Sequence, residues 1–193
     1  MKMVDVIELS RGLCRMPIEG KMAYAGRENF LGRVASGYEG VVDFLLTPET
    51  ANRLCLVQNG LIREGLGLFI FDAYRPLSAV KDFVAWAALP PASEYELERK
   101  RIHYPHVEKA DFTKLGYIAD KVSTHCYGTA VDLTLIDLAT KELLDMGTVF
   151  DYFGKESHLD AEVGVENRQK LLRAMEKFNF IPYEFEWWHF DSV

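Results

Sequence analysis

Cysteine is scarce in this chain of 193 residues: Cys14, Cys55 and Cys126 are the only three, widely spaced and without a C-x-x-C among them. Neither a disulfide framework nor a cysteine zinc knuckle is expected, and a reducing compartment, the cytoplasm, fits best. Long apolar runs are missing too. No segment approaches the roughly 18 uninterrupted apolar residues of a membrane span. The amino-terminal M-K-M-V-D-V-I-E-L-S-R interrupts each apolar run with a charge, which leaves no core for a signal peptide. Positive charge is in deficit, with 22 Lys and Arg against 29 Asp and Glu and a formal net charge of -7. That balance repels phosphate backbones and anionic lipid surfaces, so neither nucleic acid nor a membrane is expected as a partner. Repeats, low-complexity tracts and polar linkers are also lacking, so residues 1–193 read as one domain. Its oligomeric state is not legible.

What is present is ordinary globular composition, 49% hydrophobic and 26% charged, patterned into recognisable elements. Thr47 to Gly60 carries Ala51, Leu54 and Val57 at helical spacing, between a T-P-E-T start and an Asn59-Gly60 stop. The run Leu66 to Phe71 is rich in strand formers and reads as a buried strand ending at Asp72. Pro76 opens a second helix with Leu77, Val80, Phe83, Val84 and Ala87 on one face, which puts Arg75 at a strand-to-helix junction.

Residues 92–122 read as a helix fragment and a long surface loop. From Ala130 the chain alternates, Val131, Leu133 and Leu135 on one side and Asp132, Thr134 and Ile136 on the other, with a hairpin expected around Asp137 to Lys141. Asn167 to Phe178 is an amphipathic helix with Leu171, Leu172, Met175 and Phe178 inward. The chain closes on F-I-P-Y-E-F-E-W-W-H-F, read as one extended segment whose Trp187 and Trp188 face opposite ways.

Chemistry concentrates in two places. K-V-S-T-H-C-Y-G-T-A-V-D puts His125 before a glycine that can turn the backbone, and Asp132 on the strand that follows; E-W-W-H adds Glu186 and His189. A catalytic zinc takes three protein ligands and keeps one open position, and histidine nitrogen and carboxylate oxygen are among its preferred donors. His125, Asp132 and His189 meet that need, with one Zn2+ expected per chain. Glu186 is the nearest general base, and Arg75 the best placed cation for an oxyanion. An extended terminal segment puts Glu184 and Glu186 on one face, leaving both open as the base. His103 and His106 flank a proline that interrupts helix, so both read as loop residues, and His158 as surface.

S-T-H-C-Y-G-T-A-V-D with the terminal E-W-W-H resembles the S-x-H-x-x-G-x-A-x-D and E-x-W-H pair of the zinc D-Ala-D-Ala dipeptidases of the vancomycin-resistance type. M-A-Y-A-G-R-E-N-F-L-G, F-D-A-Y-R-P, A-V-x-x-F-x-x-W-A-A, G-Y-I-A-D-K-V-S and M-G-T-V-F-D-Y-F-x-x-x-S-H resemble that family's landmarks in the same order, so nearly the whole chain is covered. The resemblance implies an α+β fold, a small mixed sheet flanked by helices with zinc in a cleft. It implies zinc on His125, Asp132 and His189, Glu186 as general base and acid, and Arg75 on the tetrahedral intermediate. Asp151 and Tyr24 are implied to receive the free amine of a small D,D-dipeptide, with Ser123 near the substrate. Cys126, after the first ligand, departs from the family's pattern.

Four rivals stand beside this reading. A Ser123, His125, Asp132 triad would leave Glu186 and His189 idle, and a Cys126 thiol would point away from His125 along an extended chain. A non-catalytic zinc domain, as the scaffold's likeness to hedgehog signalling domains allows, would not need Glu186 and Arg75. A D,D-carboxypeptidase or endopeptidase acting on cell-wall peptides would have no ammonium for Asp151.

Overall fold

The computed structural model describes residues 2–193. Its main sheet has five strands in the order β2-β4-β5-β7-β6: β2 Glu19–Gly20, β4 Leu66–Asp72, β5 Ala130–Asp137, β6 Phe180–Tyr183 and β7 Glu186–Ser192. Only β2 and β4 run parallel; the remaining pairs are antiparallel, so the sheet is mixed and the class α+β, as the sequence leads one to expect. A two-stranded ribbon of β1 Val4–Asp5 with β3 Leu45–Leu46 lies apart from it.

Helices α1 Val6–Leu13, α2 Pro48–Leu61 and α5 Val165–Glu176 form one side of the core. α2 packs on β4 and α5 on β5, so Leu54, Val57, Leu171 and Met175 meet Leu68, Val131, Leu133 and Leu135 in a fully buried layer. Thr47 starts α2 as its N-cap, its hydroxyl accepting the Thr50 amide, with Pro48 in the first turn where no amide is needed. α3 Leu77–Ala87 and α4 Glu94–His103 belong to a second, aromatic layer. There Phe30 meets Phe83, Trp86 and Phe153 edge-on at centroid distances of 5.1, 5.0 and 5.1 Å. Such contacts add about 0.5–1.5 kcal/mol each beyond the area they bury. No helix among the described residues is long and apolar enough to cross a membrane.

Three expectations need correction. The terminal segment is not one extended strand: it turns at Glu184 and Phe185, and β6 and β7 form a hairpin. Residues 94–103 form a complete helix, capped by the Ser93 hydroxyl on the Glu96 amide, and the buried His103 is its last residue, not part of a loop. α4 is almost all charge, so it has no apolar stripe to announce it; the cap and the buried Glu96 to Lys109 ion pair at 2.6 Å hold it. His158 is half-buried, its ring against Phe185 and its Nε2 3.1 Å from the Tyr117 hydroxyl. The hairpin after β5 does form, but its return is a single bridge, Ile136 to Leu143.

Candidate active site

His125 sits in a single 3-10 turn, Thr124–Tyr127, which feeds directly into β5. Ser123 caps that turn, its hydroxyl accepting the His125 amide at 3.4 Å. Gly128 ends it with φ 67°, a left-handed conformation that an L side chain adopts only under strain. The turn is tied down on both sides: the Thr47 amide donates to the Gly128 carbonyl at 2.9 Å and the Arg75 amide to that of His125 at 3.3 Å. Asp132 follows on β5, and the antiparallel register sets His189 of β7 directly opposite it.

Three inward atoms therefore converge. His125 Nε2 lies 3.2 Å from Asp132 Oδ1 and 3.2 Å from His189 Nδ1, and His189 Nδ1 lies 3.0 Å from Asp132 Oδ1. Tetrahedral zinc with bonds of 2.0–2.1 Å sets its donors about 3.3 Å apart, so the donor set fits zinc by spacing and by atom type. Each of the three side chains turns its outer atom towards a further group. The Ala73 carbonyl, 2.6 Å from His125 Nδ1, can only accept, so the proton sits on Nδ1 and the Nε2 lone pair faces inward. His189 Nε2 faces Asp191 Oδ1 at 3.5 Å, and Asp132 Oδ2 accepts from Arg75 Nη2 at 3.0 Å. This is how a metal site orients its ligands.

The charges of the three side chains are strongly coupled. Burial lowers the His189 pKa, but hydrogen bonds to Asp132 and Asp191 overcome it and carry it up to about 10 in the metal-free protein. Burial raises Asp132, yet His125 and His189 together pull it well below the usual carboxylate range. Around them, Arg75 Nε donates to Asp72 Oδ2 at 2.9 Å, and the Tyr38 hydroxyl donates to Asp72 Oδ1 at 2.7 Å. Arg75 therefore bridges two buried carboxylates, while its guanidinium carbon lies over the Tyr24 ring at 5.2 Å from the centroid. It is both the ion pair suggested by its proximity to Asp72 and a wall of the cleft.

The cleft beside the ligands holds about 440 Å³, and Tyr24, Arg75, Ser123, Asp132, Asp151, Glu186 and His189 all line it, within the range of small-molecule sites. Glu186, at the start of β7, is buried, and that burial pushes its carboxyl up to about 8. The hairpin turn leaves Glu184 exposed, so the two glutamates that an extended chain would place together are separated. Asp151 is buried opposite, both its oxygens within reach of the Tyr24 hydroxyl at 3.1 and 3.0 Å. Burial first, and the neighbouring Asp132 second, raise its pKa well above the ordinary value. Tyr24 also packs edge-on against Phe30.

The nucleophile alternatives do not assemble. His125 Nδ1 is committed to Ala73, Ser123 meets only the His125 backbone, and Cys126 lines a separate depression with Met3, Leu45, Tyr74 and Tyr127. Trp188 walls the cleft, while Trp187 is buried elsewhere with its indole nitrogen donating to the Thr148 hydroxyl at 2.8 Å. Sequence reasoning missed Tyr38, which donates to Asp72, and Asp191, which faces His189; single polar residues outside a motif carry no periodic signal.

The Peptidase_M15 family model, described as D-ala-D-ala dipeptidase, matches residues 8–193. The chain belongs to this family. A D-alanyl-D-alanine dipeptidase of Enterococcus faecalis is 40% identical over 174 residues, spanning 88% of this chain and 83% of the relative. One from Enterococcus faecium is 39% identical over 172 residues, with 86% and 82% covered. Another from Streptomyces coelicolor is 34% identical over 176 residues, with the same coverage, 86% and 82%. Among solved structures, a vancomycin-resistance D,D-pentapeptidase VanY in complex with Zn(II) aligns with a TM-score of 0.47 and 16% identity, covering 78% of this chain and 74% of that one. Membership makes this chain a zinc metallopeptidase, and His125, Asp132 and His189 are the one metal-competent cluster among the described residues.

Proposed function

We propose that this protein hydrolyses the free D-alanyl-D-alanine dipeptide to two molecules of D-alanine, with His125, Asp132 and His189 holding the zinc. The observation that carries the reading is the pairing of that donor set with a buried acid, Asp151, in the same cleft. When bound, zinc supplies a Lewis acid that polarises the scissile carbonyl and brings the pKa of water from about 15.7 towards about 7.

Everything else falls to the protein's own groups. Glu186, ionised, takes the proton from the attacking water and later delivers it to the departing amine, so that the C–N bond breaks as a neutral amine leaves. Its buried position strengthens each proton transfer by excluding bulk water. Arg75, anchored between Asp72 and Asp132, faces the cleft with guanidinium charge for the oxygen that becomes negative in the transition state. Asp151 receives the substrate ammonium, which restores a charge partner to a carboxyl whose ionisation burial opposes. The Tyr24 hydroxyl orients that carboxyl, and Ser123 contributes a polar group to the cleft lining. An acyl group in place of the ammonium would leave Asp151 buried and unpaired, which disfavours longer cell-wall peptides.

Release of D-alanine from D-Ala-D-Ala, from L-Ala-L-Ala and from an amino-acetylated D-Ala-D-Ala, each with and without added zinc, tests the reading. Turnover of the free D,D-dipeptide alone, dependent on zinc, is the expected result. Preference for the acetylated compound would reject the role of Asp151. Glu186→Ala should retain one zinc and lose about 10²–10⁴-fold in kcat, the usual contribution of a general acid-base.

A further inference from the structure

Asp151 cannot hold its own conformation. Its φ is 58°, left-handed for a residue with a β-carbon, a backbone state that persists only where the surroundings enforce it. Among the described residues the only side-chain partner of its carboxyl is the Tyr24 hydroxyl, which turns the carboxyl but does not grip the backbone. We propose that His103 is the positioning residue that locks the backbone of Asp151 and so aims its carboxylate at the substrate amine; this rests on the reading of Asp151 given above.

His103, the last residue of α4, touches the segment twice. Its Nδ1 lies 3.1 Å from the Asp151 carbonyl oxygen, and its own carbonyl accepts the Phe153 amide at 2.6 Å. The Asp151 carbonyl can only accept, so the imidazole carries its proton on Nδ1. That leaves Nε2 a buried nitrogen with no hydrogen-bond partner among the described residues. An unmatched buried polar atom is destabilising, so leucine or methionine would suit this position better if filling space were its only task. Burial also holds the imidazole down to about 4, so the ring is neutral and the Nδ1 donor is present across the neutral range. His103 does not line the cleft, and no step of the hydrolysis uses it.

Steady-state kinetics of the zinc-loaded H103L, H103N and D151N proteins with D-Ala-D-Ala, together with a crystal structure of H103L, test the assignment. H103L should raise KM about tenfold, equivalent to about 1.4 kcal/mol, with kcat within about threefold and zinc content unchanged. H103N, whose amide nitrogen can take the place of Nδ1, should restore KM. H103Q keeps a polar side chain but moves its donor towards the Nε2 position, so its KM should follow that of H103L, and it serves if H103L does not fold. In crystals of H103L or H103Q, residue 151 should leave the positive-φ region.

A raised KM in D151N with an unchanged KM in both H103L and H103Q would overturn the proposal. So would a fall in kcat and Tm at constant KM, the mark of packing alone, or retention of positive φ at residue 151. An unchanged KM in D151N would instead reject the amine-binding reading, while φ at residue 151 in the H103 variants would still decide the positioning role.

Discussion

Asp132 divides its two oxygens between tasks, Oδ1 towards the histidines and Oδ2 towards Arg75. Loss of Arg75 therefore reaches the metal site as well as the cleft. Lysine at position 75 keeps a charge but lacks the fork that spans Asp72 and Asp132. R75K should lose about 10²–10³-fold in kcat, the scale of one missing oxyanion donor, with zinc content near one per chain by metal analysis. Glu186 yields a pH prediction. Its ionised form is the base, so activity disappears as pH falls through its pKa. Burial sets that pKa at about 8 in the metal-free protein, and a neighbouring dication draws it down towards the ordinary 4.5. The acid limb of kcat/KM should lie between these values; a limb below 4.5 would remove Glu186 from its role. Residues of this kind were legible in advance because the histidines, Asp132 and Glu186 stand at fixed spacings around a glycine turn and along a strand. Tyr38 and Asp191 were not legible, because a lone polar side chain is recognised only by what the fold sets beside it.

Two neighbouring strands and one turn build the donor set, and the turn depends on Gly128. An alanine there would hold φ near 67° with its Cβ 3.3 Å from the Thr47 amide nitrogen. G128A should cost about 1 kcal/mol or more in stability and, by moving His125, weaken zinc as well; thermal melts with and without zinc would separate the two effects. The strand β5 and helix α2 were plain in the sequence because their apolar periodicity matches their geometry. α4 was only partly visible, since a charged helix held by a cap and one buried ion pair has no hydrophobic period. The β6 to β7 hairpin was missed for a related reason. Its turn, Glu184-Phe185, lacks the Gly or Asn that marks two-residue turns, and the flanking strands read as one continuous run.

His125 and His189, 64 residues apart in the chain, meet only in the folded protein, so zinc held by the proposed donor set should bind the native state and little else. Chelation should abolish hydrolysis and lower Tm by several degrees, both restored by one equivalent of zinc; free zinc at about 100 times Kd contributes about 2.7 kcal/mol. The pH dependence of the metal-free protein follows from two raised values. His189, raised from 6.5 to about 10, adds stability that is complete below pH 6.5 and is lost as pH rises through about 10. Glu186, raised from 4.5 to about 8, adds stability that is complete below pH 4.5 and is lost as pH rises through about 8. His103, lowered to about 4, works the other way only below pH 6.5, so Tm of the metal-free protein should decline from pH 7 to pH 9 in calorimetry, while zinc affinity should climb about tenfold per pH unit as His189 gives up its proton. The crowding of acids about Arg75 has a further consequence. Asp72, Asp132, Asp151 and Glu186 surround a single guanidinium, a formal excess of three negative charges when all are ionised. A divalent ion removes two and an ammonium beside Asp151 the third, while the free dipeptide's own carboxylate is left to be matched outside this ring of acids. A capped peptide brings that carboxylate without the ammonium, and so meets the ring of acids with a further negative charge and no cation to offset it.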